Sequence, residues 1–177
     1  ELAEPVAPTK VGFAFDGWYT DAELTTKYDF ATKVLKDITL YAKWVEIPEG
    51  ELEKLFADVK ENDWFYASVK FVVENNLMNG LSITQFAPNN TLTRAMLVTV
   101  LYRNEGEPAT NRSIPFADVD MGAYYANAVT WAKQNNIVNG VTENEFAPYE
   151  NITREQIAAI MHRYAQYKGY DVSVGED

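Results

Sequence analysis

The sequence contains no cysteine. Disulfides, thiolate metal sites and a cysteine nucleophile are therefore excluded. There is one histidine, His162. A serine-type triad would have to run through it, and no nucleophile-elbow pattern surrounds any serine. No apolar run approaches the roughly 18 residues a membrane-spanning helix needs, so no membrane insertion is expected. A secretory leader is not legible either, because Glu1-Leu2-Ala3-Glu4-Pro5 has neither a charged start nor an apolar core. Positive charge is scarce: 15 Lys and Arg stand against 26 Asp and Glu, a formal net charge of −11. That balance argues against nucleic acid, which needs a basic face. A Gly-rich phosphate loop and an EF-hand spacing are missing, and no carboxylate pair stands apart for acid–base work. The expectation is no catalytic residue, no metal, no cofactor and no enzymatic activity in this chain.

What is present is a ladder of matches at one offset. Phe56-Ala57-Asp58-Val59 returns as Phe116-Ala117-Asp118-Val119, an offset of 116 minus 56, or 60 residues. The same offset maps Asn79-Gly80 onto Asn139-Gly140, Phe86-Ala87-Pro88 onto Phe146-Ala147-Pro148, and Thr93-Arg94 onto Thr153-Arg154. No gap is needed between Phe56 and Asn104. A repeat of this length is one supersecondary unit used twice, and such units bury their faces against neighbours.

Each repeat reads as helix, loop, helix. Phe65, Val69, Val72 and Val73 fall on one helical face, with Asp63 as the expected N-cap and a stop near Asn75-Asn76. Tyr125, Val129 and Ala132 repeat the pattern. The second helix of each repeat starts at Thr93 or Thr153. Thr153-Arg154-Glu155-Gln156 fits a capping box, whereas Thr93-Arg94-Ala95-Met96 lacks the partner at its third position. Leu97, Val100 and Leu101 form the expected core stripe of one copy, and Ile157, Ile160, Met161 and Tyr164 that of the other.

Residues 1–46 differ. Phe13-Ala14-Phe15-Asp16-Gly17-Trp18-Tyr19 is a short aromatic strand with an Asp-Gly interruption. Thr39-Leu40-Tyr41-Ala42-Lys43-Trp44 alternates with a period of two, the mark of a half-buried strand. Thr20-Asp21-Ala22-Glu23 between them reads as the start of a helical turn. Pro48 and Gly50 mark a linker.

The pattern Gly12-Phe13-x-Phe15-x-Gly17-Trp18-Tyr19, Asp29-Phe30 and Thr39-Leu40-Tyr41-Ala42-Lys43-Trp44 resembles the Listeria–Bacteroides repeat family, the B-repeats of internalin-type surface proteins. The resemblance implies a compact β fold of ubiquitin-like character. Family members usually begin with another strand ahead of the stretch seen here as Pro8-Thr9-Lys10, so the expected module is truncated, with an open strand edge. Over about 53–170, Phe-x-Asp-Val, an aromatic helix, Asn-Gly, Phe-x-Pro and Thr-Arg recur in order. This resembles the S-layer homology (SLH) family. Its modules commonly come in threes, and Gly169–Val174 looks like the lead-in to another copy. The expected fold is an α+β multi-module chain: a small β module at 1–46, repeat one at 47–110 and repeat two at 111–177.

Arg94 and Arg154 each sit at the first position of a predicted helix. A cation there opposes the helix dipole at a cost of some tenths of a kcal/mol, so its recurrence suggests a nearby anion, which free helix amides would also bind. The SLH resemblance implies that the anion is a cell-wall polysaccharide, often ending in a pyruvylated sugar whose carboxylate a guanidinium fork fits. The competing role is internal pairing with Asp58 and Asp118. Thr93 and Thr153 fix the helix ends. Trp64 and Tyr124 would stack on a sugar face or serve in packing, and Trp131, aligned with Phe71, is expected in the core. Gly80 and Gly140 would supply positive φ at turns or let a sugar approach closely. Arg103 and Arg163 suit the cation-favouring helix end. His162 aligns with Tyr102, so the repeat requires no base there. The implied function is non-covalent anchoring of an exported surface protein at the cell wall. A homo-oligomer through an incomplete SLH assembly or an open strand edge is the added expectation on partners. The alternatives are an extracellular interaction or adhesion module, and a surface enzyme whose catalytic domain lies elsewhere.

Overall fold

The computed structural model of the protein describes residues 10, 13–34, 36–46, 52–111, 113 and 116–173. The readings placed on residues 1–5, 8–9, 12, 47–50 and 174 lie outside the described residues.

Among the described residues two antiparallel strands come first, β1 (Phe13–Tyr19) and β2 (Tyr41–Glu46). Phe15 pairs with Trp44 and Gly17 with Lys43, so the register slips at Asp16. The Asp-Gly interruption is thus a bulge inside one strand. Gly17 takes φ 141°, and a Cβ there would collide with the Lys27 side chain. The bulged Asp16 carboxylate accepts the Tyr19 hydroxyl at 2.7 Å and sits 3.5 Å from Lys43 Nζ. The Phe15 ring packs edge-on against Trp18 and Trp44, at 5.4 and 5.5 Å. The segment after β1 is not a helical turn. The Asp21 carboxylate accepts the amides of Thr25 (2.9 Å) and Thr26 (2.8 Å), closing a loop in which Leu24 takes φ 57°. The side-chain bonds offer the backbone an alternative to helix.

Among the described residues five helices follow: α1 (Leu52–Leu55), α2 (Tyr66–Glu74), α3 (Arg94–Asn104), α4 (Ala126–Gln134) and α5 (Arg154–Tyr167). Neither α2 nor α4 has a side-chain cap; Phe65 and Tyr125 occupy their N-cap positions. Asp63 is not the cap, because its carboxylate accepts the Lys60 amide at 2.7 Å and closes the preceding turn. Both helices end alike. Asn76 and Asn136 take φ 55° and 58°, and the next amides return to Val72 O and Ala132 O, each at 2.8 Å. This is the left-handed C-terminal closure that asparagine tolerates.

The chain packs as two compact units, Glu1–Asn90 and Thr91–Asp177. Leu52, Leu55, Phe56, Val59, Val69 and Val73 form the core of the first, together with Ala14. In the second, Ala95, Val98, Leu101 and Tyr102 of α3 join Phe116, Val129, Trp131, Phe146, Ile160 and Tyr164. The unit boundary therefore falls inside the 47–110 repeat: α3 packs on α4 of the second repeat. The buried stripe of α3 is rotated from the expected Leu97, Val100 and Leu101, because it must face α4 and the loop at Phe146. On α5, Ile160 and Tyr164 are buried while Met161 is exposed. Trp131 is buried and its repeat partner Phe71 is 59% exposed, so equivalent positions have different burdens in the two units.

Candidate functional site

The two equivalent helix starts are in different states. Arg94 is 4% exposed. Its Nε donates to Phe146 O at 2.8 Å and its Nη2 to Asn139 O at 3.2 Å, with the guanidinium carbon 4.8 Å from the centre of the Phe146 ring. The backbone joins in: Arg94 N donates to Glu150 O and Ala95 N to Pro148 O, both at 3.0 Å. The start of α3 is thus keyed into the Asn-Gly and Phe-x-Pro loop of the second repeat. Burial lowers the Arg94 pKa, and the carboxylates of Glu150 and Asp118 partly offset this. Arg154, sixty residues on, is exposed. Among the described residues its guanidinium has no hydrogen bond or ion pair.

Neither arginine is paired with the aspartate that the internal reading assigned to it. Asp58 instead accepts the amides of Phe86 (2.9 Å) and Ala87 (2.7 Å). Asp118 accepts those of Phe146 (2.8 Å) and Ala147 (2.7 Å). Each carboxylate staples its own repeat's Phe-x-Pro loop, with Ala87 and Ala147 at φ 60° and 57°. Burial pushes the Asp58 pKa up, but the two amides and Lys60 outweigh it, and the net shift is down. The sequence carried this signal. Phe-x-Asp and Phe-x-Pro recur together at one spacing, as two halves of a single contact should.

The glycines of the Asn-Gly turns are required by space. Gly80 takes φ 77°, and a Cβ would stand 2.7 Å from Gln85 O and 2.9 Å from Phe56 Cε1. Gly140 does not appear in the left-handed region; a Cβ there would press on Thr142 O, Glu145 O and the Phe116 ring. Positive φ is the reason for one glycine and close approach of backbone for the other. Thr93 caps α3 by accepting the Met96 amide at 3.2 Å. Thr153 and Gln156 form the expected capping box on α5.

The aromatic candidates lie on the surface. Trp64 is 93% exposed, touching Phe65 edge-on at 5.5 Å. Tyr124 is 42% exposed, against Tyr125 at 5.1 Å. Burial raises the Tyr124 pKa, Tyr149 adds to that, and Arg103 and Thr93 oppose it. Tyr149, which the motif reading passed over, is 73% exposed and packs edge-on against the buried Tyr125 at 5.6 Å. Arg103 lies 3.8 Å from Glu107 at the end of α3, and His162 is exposed. Among the described residues no three His, Asp or Glu side chains gather to hold a metal, and no helix is long and apolar enough to cross a membrane.

Comparison with known proteins agrees with both halves of this architecture. The family model for the Listeria-Bacteroides repeat domain matches residues 1–43, and that for the S-layer homology domain matches 55–95 and 115–158. An endoglucanase of Bacillus sp. (strain KSM-635) is 38% identical over 69% of this chain but only 13% of its own length. A surface-layer 125 kDa protein of Lysinibacillus sphaericus is 31% identical over 53% of the chain and 8% of that protein. The cellulosome-anchoring protein of Acetivibrio thermocellus is 26% identical over 70% of the chain and 30% of that protein. The chain thus spans less than a third of each of these relatives, and those named as enzymes match through their S-layer homology parts. The domains and relatives mark a cell-surface protein associated with the cell wall. Two S-layer homology domains, each with an aspartate-stapled loop, stand behind a Listeria-Bacteroides repeat domain in this chain, which is an anchoring-type region of the S-layer homology family.

Proposed function

We propose that this chain holds an exported surface protein on the cell wall by binding, non-covalently, an anionic secondary polysaccharide whose charged end is a pyruvylated sugar. Its ligand is a wall polymer, and the chemistry of any enzyme attached to it lies outside these residues. The observation that carries the reading is Arg154: an exposed guanidinium, unpaired among the described residues, at the capped start of α5 in a chain of net charge −11. A carboxylate there gains both the guanidinium fork and the first amides of the helix. Thr153 fixes that end. Trp64 and Tyr124 offer ring faces to sugar C–H surface, and Gly80 and Gly140 keep side chains off the turns beside them. Arg94 and Thr93 act from inside, holding the start of α3 on the second loop. We read the β module as ubiquitin-like.

The test is co-sedimentation of the chain with purified wall polymer, before and after chemical removal of pyruvate. Retention should be lost on depyruvylation and lost in Arg154→Ala. Equal retention of both polymers by the wild-type chain would refute the anionic-sugar reading and favour protein contacts through an adhesion module.

A further inference from the structure

The dipeptide Asn-Gly occurs twice, in equivalent turns, and the two copies differ at one atom. Asn139 O accepts Nη2 of the buried Arg94 at 3.2 Å. Among the described residues, no cation reaches Asn79 O. Both turns are closed by the residue after the glycine: Leu81 N donates to Gln85 O at 2.9 Å and Val141 N to Glu145 O at 2.8 Å. The glycine amide itself donates to no backbone carbonyl in either copy among the described residues. The side chains differ as well. Asn75 and Asn135 spend their side-chain amides on Phe71 O and Trp131 O, each at 2.8 Å. Asn139 is exposed, and its side-chain amide has no hydrogen bond among the described residues, whereas Asn79 is half-buried.

We propose that Asn139-Gly140 is a site of spontaneous modification, at which the Gly140 amide closes on the Asn139 side chain and the Arg94 guanidinium promotes the closure. Hydroxide takes the proton of Gly140 N–H. The nitrogen then attacks Asn139 Cγ, a C–N bond forms, and the Cγ–Nδ2 bond breaks. Nδ2 leaves as ammonia with a proton from water, which returns the hydroxide. Water adds to one of the two imide carbonyls and opens the ring, to aspartate or to isoaspartate. No oxidant or metal takes part. Arg94 enters because Gly140 N–H and Asn139 C=O belong to one conjugated peptide group. Loss of the proton spreads negative charge onto Asn139 O, where the guanidinium already stands. A hydrogen bond strengthens when its acceptor is ionised, and donors placed in advance on developing charge promote a reaction. The carboxylates of Glu150 and Asp118 act on Arg94 in the opposite sense, but the guanidinium is in direct contact with the oxygen that becomes charged. It holds that carbonyl and not the exposed side chain, whose rotation brings Cγ to the nitrogen. The product matters to the fold. A Cβ on Gly140 would already press on Thr142 O, Glu145 O and the Phe116 ring. The extra main-chain carbon of isoaspartate has no room there, so the loop that receives Arg94 must open.

The test contains no polysaccharide, so it fails or survives independently of wall binding. The full chain is incubated at mildly alkaline pH, and peptide mapping by mass spectrometry follows acid formation at Asn139 and at Asn79. Each pKa unit by which the guanidinium lowers the Gly140 amide gives about ten times more of the reactive anion, so Asn139 should react about tenfold faster than Asn79 in the folded chain. In concentrated urea both turns are lost and the two sites should react alike. Arg94→Gln keeps a donor and removes the charge. Its Asn139 should slow to the rate of Asn79, while Asn79 is unchanged. Fluorescence of the buried Trp131 reports whether that variant is folded; should it unfold, the wild-type comparison of buffer with urea decides alone. Equal rates at the two sites in the folded wild-type chain, or a folded Arg94→Gln chain that reacts as fast or faster at Asn139, would overturn the proposal.

Discussion

Arg94 and Arg154 show how little a residue's type fixes its role. They have the same neighbour on one side, the same helix position and a threonine cap, yet one is sealed and the other open. Removing Arg94 leaves Phe146 O and Asn139 O without their charged donor inside the second unit. Hydrogen bonds to charged groups contribute about 1.5–3 kcal/mol each, so Arg94→Ala should cost the second unit about 3 kcal/mol. The buried Trp131 reports this unit's unfolding in urea. Arg154→Ala should leave that transition unmoved. Asp58 provides a pH prediction. Its folded pKa lies below the usual carboxylate value, so its stabilisation is fully present above about pH 3.9 and is lost as pH falls through the lower folded value. Acid titration of the first unit, followed by fluorescence of Trp18, Trp44 and Trp64, should therefore show a destabilisation below about pH 4 that Asp58→Asn removes.

Among the elements, the four longer helices fall into two kinds. α3 and α5 are started by threonine caps, and Thr153→Ala should cost about 1 kcal/mol, measurable as a lowered thermal midpoint. α2 and α4 have no such cap and owe their place to burial of Val69 and Val73, and of Tyr125, Val129 and Ala132. The loop that follows each of them is tight enough to exclude a methyl group. Gly80→Ala combines a left-handed φ with contact against Gln85 O and Phe56, and strain of this kind costs about 1–3 kcal/mol. Gly140→Ala should be at least as damaging through contact alone, and a chemical-denaturation series on both variants checks the comparison. At this scale the sequence was readily legible. Caps, periodicity and the Asn-Gly turns announce themselves locally, and β1, β2 and α2 to α5 lie within a few residues of their expected places. Asp63 and Thr20-Asp21 misled because an acidic side chain ahead of a helix pattern has several amides within reach. Which one it takes depends on the fold of the turn.

At the scale of the whole chain, the unit of sequence is not the unit of packing. The sixty-residue repeat runs from helix to helix, whereas the compact unit starts at Thr91 and takes the last helix of the first repeat together with all of the second. Repeats of this type bury their faces on neighbours, so the helix that ends one repeat belongs to the core of the next. The consequence for binding is that Arg94 is closed off whereas Arg154 stays open among the described residues. If it meets an anionic polymer, that contact is solvent-exposed and the chain's net −11 opposes approach. Salt screens both terms, and the short-range pair is the one holding the polymer. Retention should therefore fall several-fold as the screening length drops from about 8 Å near physiological ionic strength to about 3 Å at 1 M, as co-sedimentation across a salt series would show.

By itself the sequence determined the two repeats, their family, the β module ahead of them and the residue types at every helix start and turn, because periodicity, caps and left-handed positions are short-range properties. Only the tertiary structure decided that Asp58 and Asp118 staple loops, that Gly140 is a matter of space, and that Arg94 is buried against the second loop while Arg154 is exposed. Those outcomes depend on which backbone carbonyls and amides the fold brings within about 3 Å of a side chain. Two copies of one motif cannot show that difference, because it lies in what stands opposite each of them.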